Sequence, residues 1–390
     1  MSKKMKIGLV LSRAPAYSET FIINKIDGLI KSGKHVILFL NYYEKHKEFD
    51  DKISFFYQIN LNRKLYIFFK LIKVLITCPL IICKFLYLER ASNLDWYQIL
   101  KRLIINLHII DKKIDWLHFT YATMGLGREN VAKAIGAKSA VSFRGFDIGL
   151  YPHKNIKCYN LLWKRIDKVH SISDALYNKA LKLGLSKSIK YKKIYPAINL
   201  ELFNNKNKKI QISKPLHILT VSRLSWKKGL EYALKAISLL KESKIDFQYN
   251  IIGEGEYKES ILYAIHQLKL GDNVILNGNL SQFEIVKFME KSDVYLQPSI
   301  QEGFCNAVLE AQVMGLLCIV SDADGLSENV IDKKTGWVVP RRSSEAIYNK
   351  LKKVLVMKDS DILKIKSNAI ERVREKFNIL YQRKLFNEFY

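Results

Sequence analysis

Short apolar runs alternate along the chain with longer stretches in which apolar positions recur every three or four residues. That is the pattern of buried strands alternating with amphipathic helices. "MKIGLVLS" reads as a first strand. "SETFIINKIDGLIKSG" reads as a helix, with Ser18 or Glu19 near its start and Gly33 stopping it. "KHVILFLNYY" is the next strand, and strand–helix–strand implies a parallel sheet. The rhythm resumes at "KIDWLHFTYA", "AKSAVSFRGFD" and "KRIDKVHSISDAL", and pauses over 204–215, where "NNKNKKIQISKP" is polar, basic and poor in apolar residues. It then restarts with "LHILTVSRLS" and runs through "FQYNIIGEGE", "NVILNGN", "DVYLQPS", "LCIVSD" and "GWVVP", with helical stretches between them. The pattern predicts two doubly wound α/β domains, 1–203 and 216–370, joined by a linker at 204–215. A terminal helical segment, 371–390, is placed to pack back on the first domain.

One segment departs from this rhythm. Residues 65–88, "LYIFFKLIKVLITCPLIICKFLYL", form the most apolar stretch, yet Lys70, Lys73 and Lys84 punctuate it and Pro79 breaks it. Two readings fit: a pair of core helices, or an amphipathic hairpin lying on a membrane surface with its lysines reaching the headgroups. No stretch reaches the roughly 18 uncharged apolar residues of a membrane span. The N-terminus lacks the long apolar run of a signal peptide.

Composition narrows the partners. The 390 residues hold 64 Lys and Arg against 37 Asp and Glu, a formal net charge of +27. Such a charge favours anionic lipid, phosphate-bearing substrates or nucleic acid, but no nucleic-acid motif is recognisable. The five cysteines are odd in number and form no CxxC. This points away from a disulfide framework or zinc site and toward a reducing cytosol.

Chemistry concentrates in a few loops. "QEGFCNAVLE" sets Glu302 and Glu310 around an uncharged run, between a strand ending in "QPS" and the strand "LCIVSD". A loop entering a helix at Cys305 to Ala307 aims free backbone N–H groups and the positive end of the helix dipole at a ligand, which suits a diphosphate. "SRLSWKKG" puts Arg223 and Lys228 in another strand-to-helix loop, where two fixed cations suit an anionic leaving group. "IIGEGE" gives a glycine turn with Gly253 and Gly255, and "NGNLSQFEI" offers backbone at Asn279 and Leu280. In the first half, "FRGFDI" places Arg144 and Asp147 at a strand end, "HFTYA" does the same for His118, and "SETF" carries Ser18, Glu19 and Thr20 at the first turn. "DAD", Asp322 to Asp324, is a literal match to a metal-binding triad, but its context does not favour a metal site.

These motifs together resemble the retaining GT-B glycosyltransferases of family GT4, strongly from about Leu216 to Pro340 and more loosely in the N-terminal half. The resemblance implies two Rossmann-like domains facing a central cleft. It also implies transfer of a hexose-type sugar from a nucleotide diphospho-sugar, with retention and without a metal or other cofactor. The expected acceptor is a lipid-linked or cell-surface glycan of bacterial polysaccharide or lipopolysaccharide assembly. The enzyme is expected on the cytoplasmic face of an anionic membrane, with no nucleic-acid partner. In the family's pattern Glu302 contacts sugar hydroxyls, Glu310 the ribose, and Arg223 and Lys228 the diphosphate. Phe304, Cys305, Asn306, Ala307, Gly253, Gly255, Asn279 and Leu280 border the nucleotide, and Arg144 joins the catalytic set. Ser18, Glu19, Thr20, His118 and Asp147 lie on the acceptor side. Many relatives carry His where Arg144 stands, so a role needing an imidazole does not transfer. Two alternatives remain: an epimerase-type enzyme on the same scaffold, since fold alone does not fix function, and a basic protein that binds membrane or nucleic acid.

Overall fold

The computed structural model describes residues 4–15, 20–42, 53–59, 62, 64–204 and 211–390. Ser18, Glu19 and residues 205–210 of the linker segment therefore lie outside the described residues. The chain divides into two units, Met1–Tyr195 with Gln382–Tyr390, and Pro196–Tyr381.

The first unit is built on seven parallel strands: β1 (Lys6–Leu11), β2 (His35–Leu40), β3 (Ser54–Tyr57), β4 (Trp116–Phe119), β5 (Lys138–Phe143), β6 (Lys168–Ser171) and β7 (Lys190–Lys193). Their order is β3-β2-β1-β4-β5-β6-β7. β1 and β2 are buried along almost their whole length. Strands covered on both faces read as continuous apolar runs, which is why both were visible in the sequence. The core beside them takes in Ile7, Leu9, Val36 and Leu38, together with Phe386 and Phe389 from the end of the chain.

The second unit carries six parallel strands: β8 (Leu216–Val221), β9 (Phe247–Ile252), β10 (Val274–Leu276), β11 (Val294–Gln297), β12 (Leu317–Ser321) and β13 (Trp337–Val339). The order is β10-β9-β8-β11-β12-β13, so both units are doubly wound. In each sheet the order reverses at one point, between β1 and β4 and between β8 and β11. The loops leaving those strands splay apart there and leave a crevice beyond the carboxyl ends.

Residues 65–88 form two helices, Lys64–Thr77 and Pro79–Arg90, bent by 105° at the proline. The second packs inward through Ile82, Phe85 and Leu88. The first buries only Val74 and presents Leu65, Tyr66, Phe68, Phe69 and Ile76 to solvent. The second helix thus takes a core position, while the first leaves most of its apolar side chains exposed. Among the described residues no single helix is long and apolar enough to cross a membrane.

Candidate active site

In the second unit the two loops at the reversal point are stitched together by backbone. The N–H groups of Ile300 and Gln301 donate to the Lys227 carbonyl at 2.8 and 3.2 Å. Gly229 sits against the Pro298 carbonyl, where a Cβ would come within 2.4 Å, and its φ of +61° also favours glycine. The loop after β9 supports this pair from below. Gly253 and Gly255 lie so close to the carbonyls of Ser222 and Leu224 that a Cβ would fall at 1.9 and 2.2 Å. Both glycines are thus required by backbone approach to the loop that carries Arg223. Asn279 and Leu280 follow the next strand, beside Gly278, whose carbonyl accepts from the Gly253 N–H at 2.7 Å.

This framework sets Lys228 against Glu302. The buried ammonium donates to the Glu302 carboxylate. Burial opposes the charge on Lys228, but the adjoining carboxylate outweighs it and holds the ammonium above the usual lysine range. Arg223 is exposed nearby and has no hydrogen-bond or ion-pair partner among the described residues. Behind Glu302 runs a buried chain: Tyr295 Oη donates to Gln297 Oε1 at 3.0 Å, and Gln297 Nε2 donates to Ser299 Oγ at 2.8 Å. Ser299 lies within reach of Glu302.

The helix Asn306–Val313 begins directly after this loop, with Cys305 as its N-cap. Phe304 is buried, its ring 5.8 Å from that of Phe377, and Cys305 is buried with its thiol pushed up to about 12 by desolvation. Their side chains are therefore committed to packing. The N–H groups of Asn306 and Ala307 in the first turn have no acceptor among the described residues, as an anion site requires. Glu310 is partly accessible, and its carboxylate has no hydrogen-bond or ion-pair partner among the described residues. Its apolar surroundings raise its carboxyl from 4.5 to about 7.

Three contacts fasten the Glu302 loop to the end of β12 and the segment that follows it. Ser321 Oγ donates to the Ser299 carbonyl, and the Gly325 N–H donates to the Glu302 carbonyl at 2.9 Å. The third is Asn329, fully buried, which pairs with both backbone groups of Cys305. Asp322 in the same segment accepts from the N–H and Nε of Arg341, each at 2.9 Å. Its carboxylate is thus engaged, and no group of three or more potential metal ligands occurs among the described residues.

In the first unit Arg144 caps the short helix Gly145–Gly149, and its guanidinium lies 3.6 Å from the centroid of the Phe21 ring. Asp147 is fully buried and accepts from the N–H groups of Arg144 and Ala122, each at 2.8 Å. Desolvation raises its carboxyl to about 7. His118 is fully buried too, hydrogen-bonded to Ser142 at 2.7 Å and to the Tyr390 hydroxyl at 2.6 Å. Lys25 lies 3.2 Å from its ring. Burial and Lys25 hold His118 well below the usual histidine range. Asp147 and His118 therefore have no surface open to an acceptor; both organise the strand ends from behind. Thr20 opens the helix Thr20–Lys31.

Residues 203–375 match the family model of the glycosyl transferases group 1. Solved structures of the GT-B fold superpose on nearly the whole chain. A glycosyltransferase from Rickettsia africae covers 99% of this chain and 98% of its own with a TM-score of 0.72 at 20% identity. Anabaena HepE, in complex with UDP, gives a TM-score of 0.72 at 15% identity, with 98% of each chain covered. The chain has the GT-B fold, and its second unit is related to the glycosyl transferases group 1. The amylovoran biosynthesis glycosyltransferase AmsK of Erwinia amylovora is 28% identical over 403 residues, 96% of each chain.

As a group 1 relative, the chain has its family match over the unit that holds Arg223, Lys228, Glu302 and Glu310. The structure brings these four to the two loops and one helix at the β8–β11 reversal. Sequence reasoning missed Ser299, Gln297, Asn329 and Arg341. Gln297 and Ser299 act through side-chain bonds within their own stretch of chain, and Asn329 and Arg341 through partners about twenty residues away or more; only "GLSENV", next to the "DAD" match, hinted that Asn329 belonged to the same loop cluster.

Proposed function

We propose that the protein transfers a hexose-type sugar from a nucleotide diphospho-sugar, with retention, to a lipid-linked or cell-surface glycan in bacterial polysaccharide or lipopolysaccharide assembly. The supporting observation is the juxtaposition of the Lys228–Glu302 pair, the exposed Arg223, the open first-turn amides of Asn306 and Ala307, and the unpartnered Glu310. In this reading Arg223, Lys228 and the helix start receive the diphosphate, whose charge grows as the glycosidic bond breaks. Glu310 accepts from ribose hydroxyls. Glu302 holds Lys228 charged and in place until the donor enters, then shares it with the phosphate and accepts from sugar hydroxyls. The leaving phosphate takes the acceptor proton on the same face of the sugar. Arg144 stays protonated at working pH, so it serves by charge and position and not as a base.

The exposed helix Lys64–Thr77 supports an acceptor held at a membrane. Large apolar surfaces on a protein exterior mark interaction sites. Here Phe68, Phe69 and Ile76 are joined by Leu80 and Tyr87, and by Trp96 and Tyr97 of the following helix, with Lys64, Lys73, Lys84 and Arg90 exposed among them. Apolar and aromatic side chains ringed by cations suit an anionic lipid surface. Incubation with a panel of UDP- and GDP-sugars and lipid-linked acceptors tests the enzyme reading. Release of nucleoside diphosphate with a glycosylated acceptor is expected; interconversion of the donor sugar without transfer would replace this reading with an epimerase.

A further inference from the structure

We propose that Asn329 is a positioning residue for the donor diphosphate, acting through Cys305. The proposal rests on the donor-site reading above and adds a residue to it. Cys305 is the N-cap of helix Asn306–Val313, in extended conformation at φ −119° and ψ 109°. Its N–H and C=O both point into the protein, where a neighbouring strand would ordinarily pair with them. Among the described residues no strand pairs with Cys305 there. The Asn329 side chain takes its place: Oδ1 accepts from the Cys305 N–H at 3.0 Å, and Nδ2 donates to the Cys305 carbonyl at 2.9 Å. A carboxamide carries one donor and one acceptor, as a peptide group does, and can satisfy both at once.

The Asn329 backbone is itself held. Arg372, from the helix Asp359–Lys376, donates to the carbonyls of Asn329 and Glu328 at 2.7 and 2.6 Å. Rigidity therefore passes from Arg372 to Asn329 and then to Cys305. The Gly325 N–H fixes the Glu302 carbonyl at the other end of the same loop. Between these two anchors the chain must start its helix at Asn306, and that start aims the amides of Asn306 and Ala307. Asn329 never meets the ligand. It fixes the direction of the groups that do.

A leucine at 329 fills a similar volume but leaves two buried backbone groups without partners. An aspartate accepts from the Cys305 N–H, cannot donate to its carbonyl, and adds a negative charge close to the diphosphate site. Uridine, UDP, guanosine and GDP are titrated into the full-length wild type, Asn329→Leu, Asn329→Asp and Arg372→Met, with a thermal melt of each. For the diphosphate that the wild type binds, Asn329→Leu is expected to lose roughly ten-fold or more in affinity, because small misplacements of positioning groups are costly. The matching nucleoside, which does not use those amides, should shift less than about two-fold by the same logic. Arg372→Met should move the same way by a smaller factor. If Asn329→Leu does not fold, Arg372→Met carries the same comparison, because Asn329→Asp also weakens diphosphate binding by its charge alone. Unchanged diphosphate affinity in the folded variants, or an equal proportional loss for nucleoside and diphosphate, overturns the assignment. A wild type that binds neither diphosphate removes the donor-site reading itself, a failure visible before any variant is made.

Discussion

Lys228 and Arg223 share a loop but stand in different physical situations, and their variants should separate accordingly. Lys228 is buried against Glu302, while Arg223 is exposed. Arg223→Ala should cut turnover by ~10²–10³, the effect of losing one group that stabilises transition-state charge, and leave the melting temperature unchanged. Lys228→Ala should lose as much activity and also stability, because it strands a part-buried carboxylate; removing one partner of a fully buried pair costs about 3–5 kcal/mol, which is the upper bound here. Steady-state kinetics and melts of both variants make the comparison. Glu310 contributes a pH dependence. Its folded carboxyl titrates near 7 instead of 4.5, so the folded state keeps a proton that the unfolded chain releases between those values. The stability it contributes is complete below 4.5 and is lost as pH rises through about 7. Glu310→Gln should remove that part of the decline, so the melting temperature of the variant should rise relative to that of the wild type as pH goes from 5 to 8 (roughly the window spanned by the shift). Charged side chains in strand-to-helix loops and the helix that follows drew attention to Arg223, Lys228, Glu302 and Glu310 in the sequence, and the fold gathers all four at the β8–β11 reversal. Asn329 was not, because an asparagine that pairs with backbone leaves no pattern until the fold brings the two segments together. His118 and Asp147 show the converse: polar residues at strand ends also serve to satisfy buried groups, and both side chains are fully buried, which the sequence pattern does not reveal.

At the scale of elements, the helix Lys64–Thr77 is the part whose surface least resembles the rest. It buries Val74 alone and holds position partly through Lys70, whose ammonium donates to Asp111 at 2.7 Å. Replacing Phe68, Phe69 and Ile76 together by Glu should release the protein from anionic vesicles in flotation while leaving its melting temperature near that of the wild type, since all three side chains are exposed. Undiminished flotation would mean that another surface carries membrane binding. The strands of the two sheet centres were readable as apolar runs, but β3 was not: its four residues are all half-buried, and so short a half-covered strand shows neither alternation nor a continuous apolar run. The segment after β12 shows the same limit. "DAD" matches a metal triad letter by letter, yet Arg341 occupies Asp322 and lies 3.9 Å from Asp324. Transferase activity is accordingly expected to survive EDTA; loss on chelation with recovery on adding Mg²⁺ or Mn²⁺ would assign the leaving-group charge to a metal instead.

At the scale of the whole molecule, the two-unit GT-B plan was legible because the βα rhythm pauses and restarts. The return of the final helix was legible only as a placement, since nothing in "LYQRKLFNEFY" names the core it enters. Phe389 is fully buried, with its ring 6.4 Å from Trp116 and 5.5 Å from His118, and Phe386 lies 5.0 Å from His170. Phe386→Ala or Phe389→Ala should each destabilise the first unit by about 3–5 kcal/mol, seen as an earlier denaturation phase in the full chain with the phase of the second unit unmoved. Coincident shifts of both phases would mean that the units unfold as one. A ribosome delivers a chain in order, and nascent domains ordinarily close as they emerge, the N-terminal one first. Here the unit that begins emerging first waits for aromatic residues translated after the whole of the other. The second sheet can be complete while the first still lacks one side of its core, so the unit translated later can be the earlier to reach its native packing.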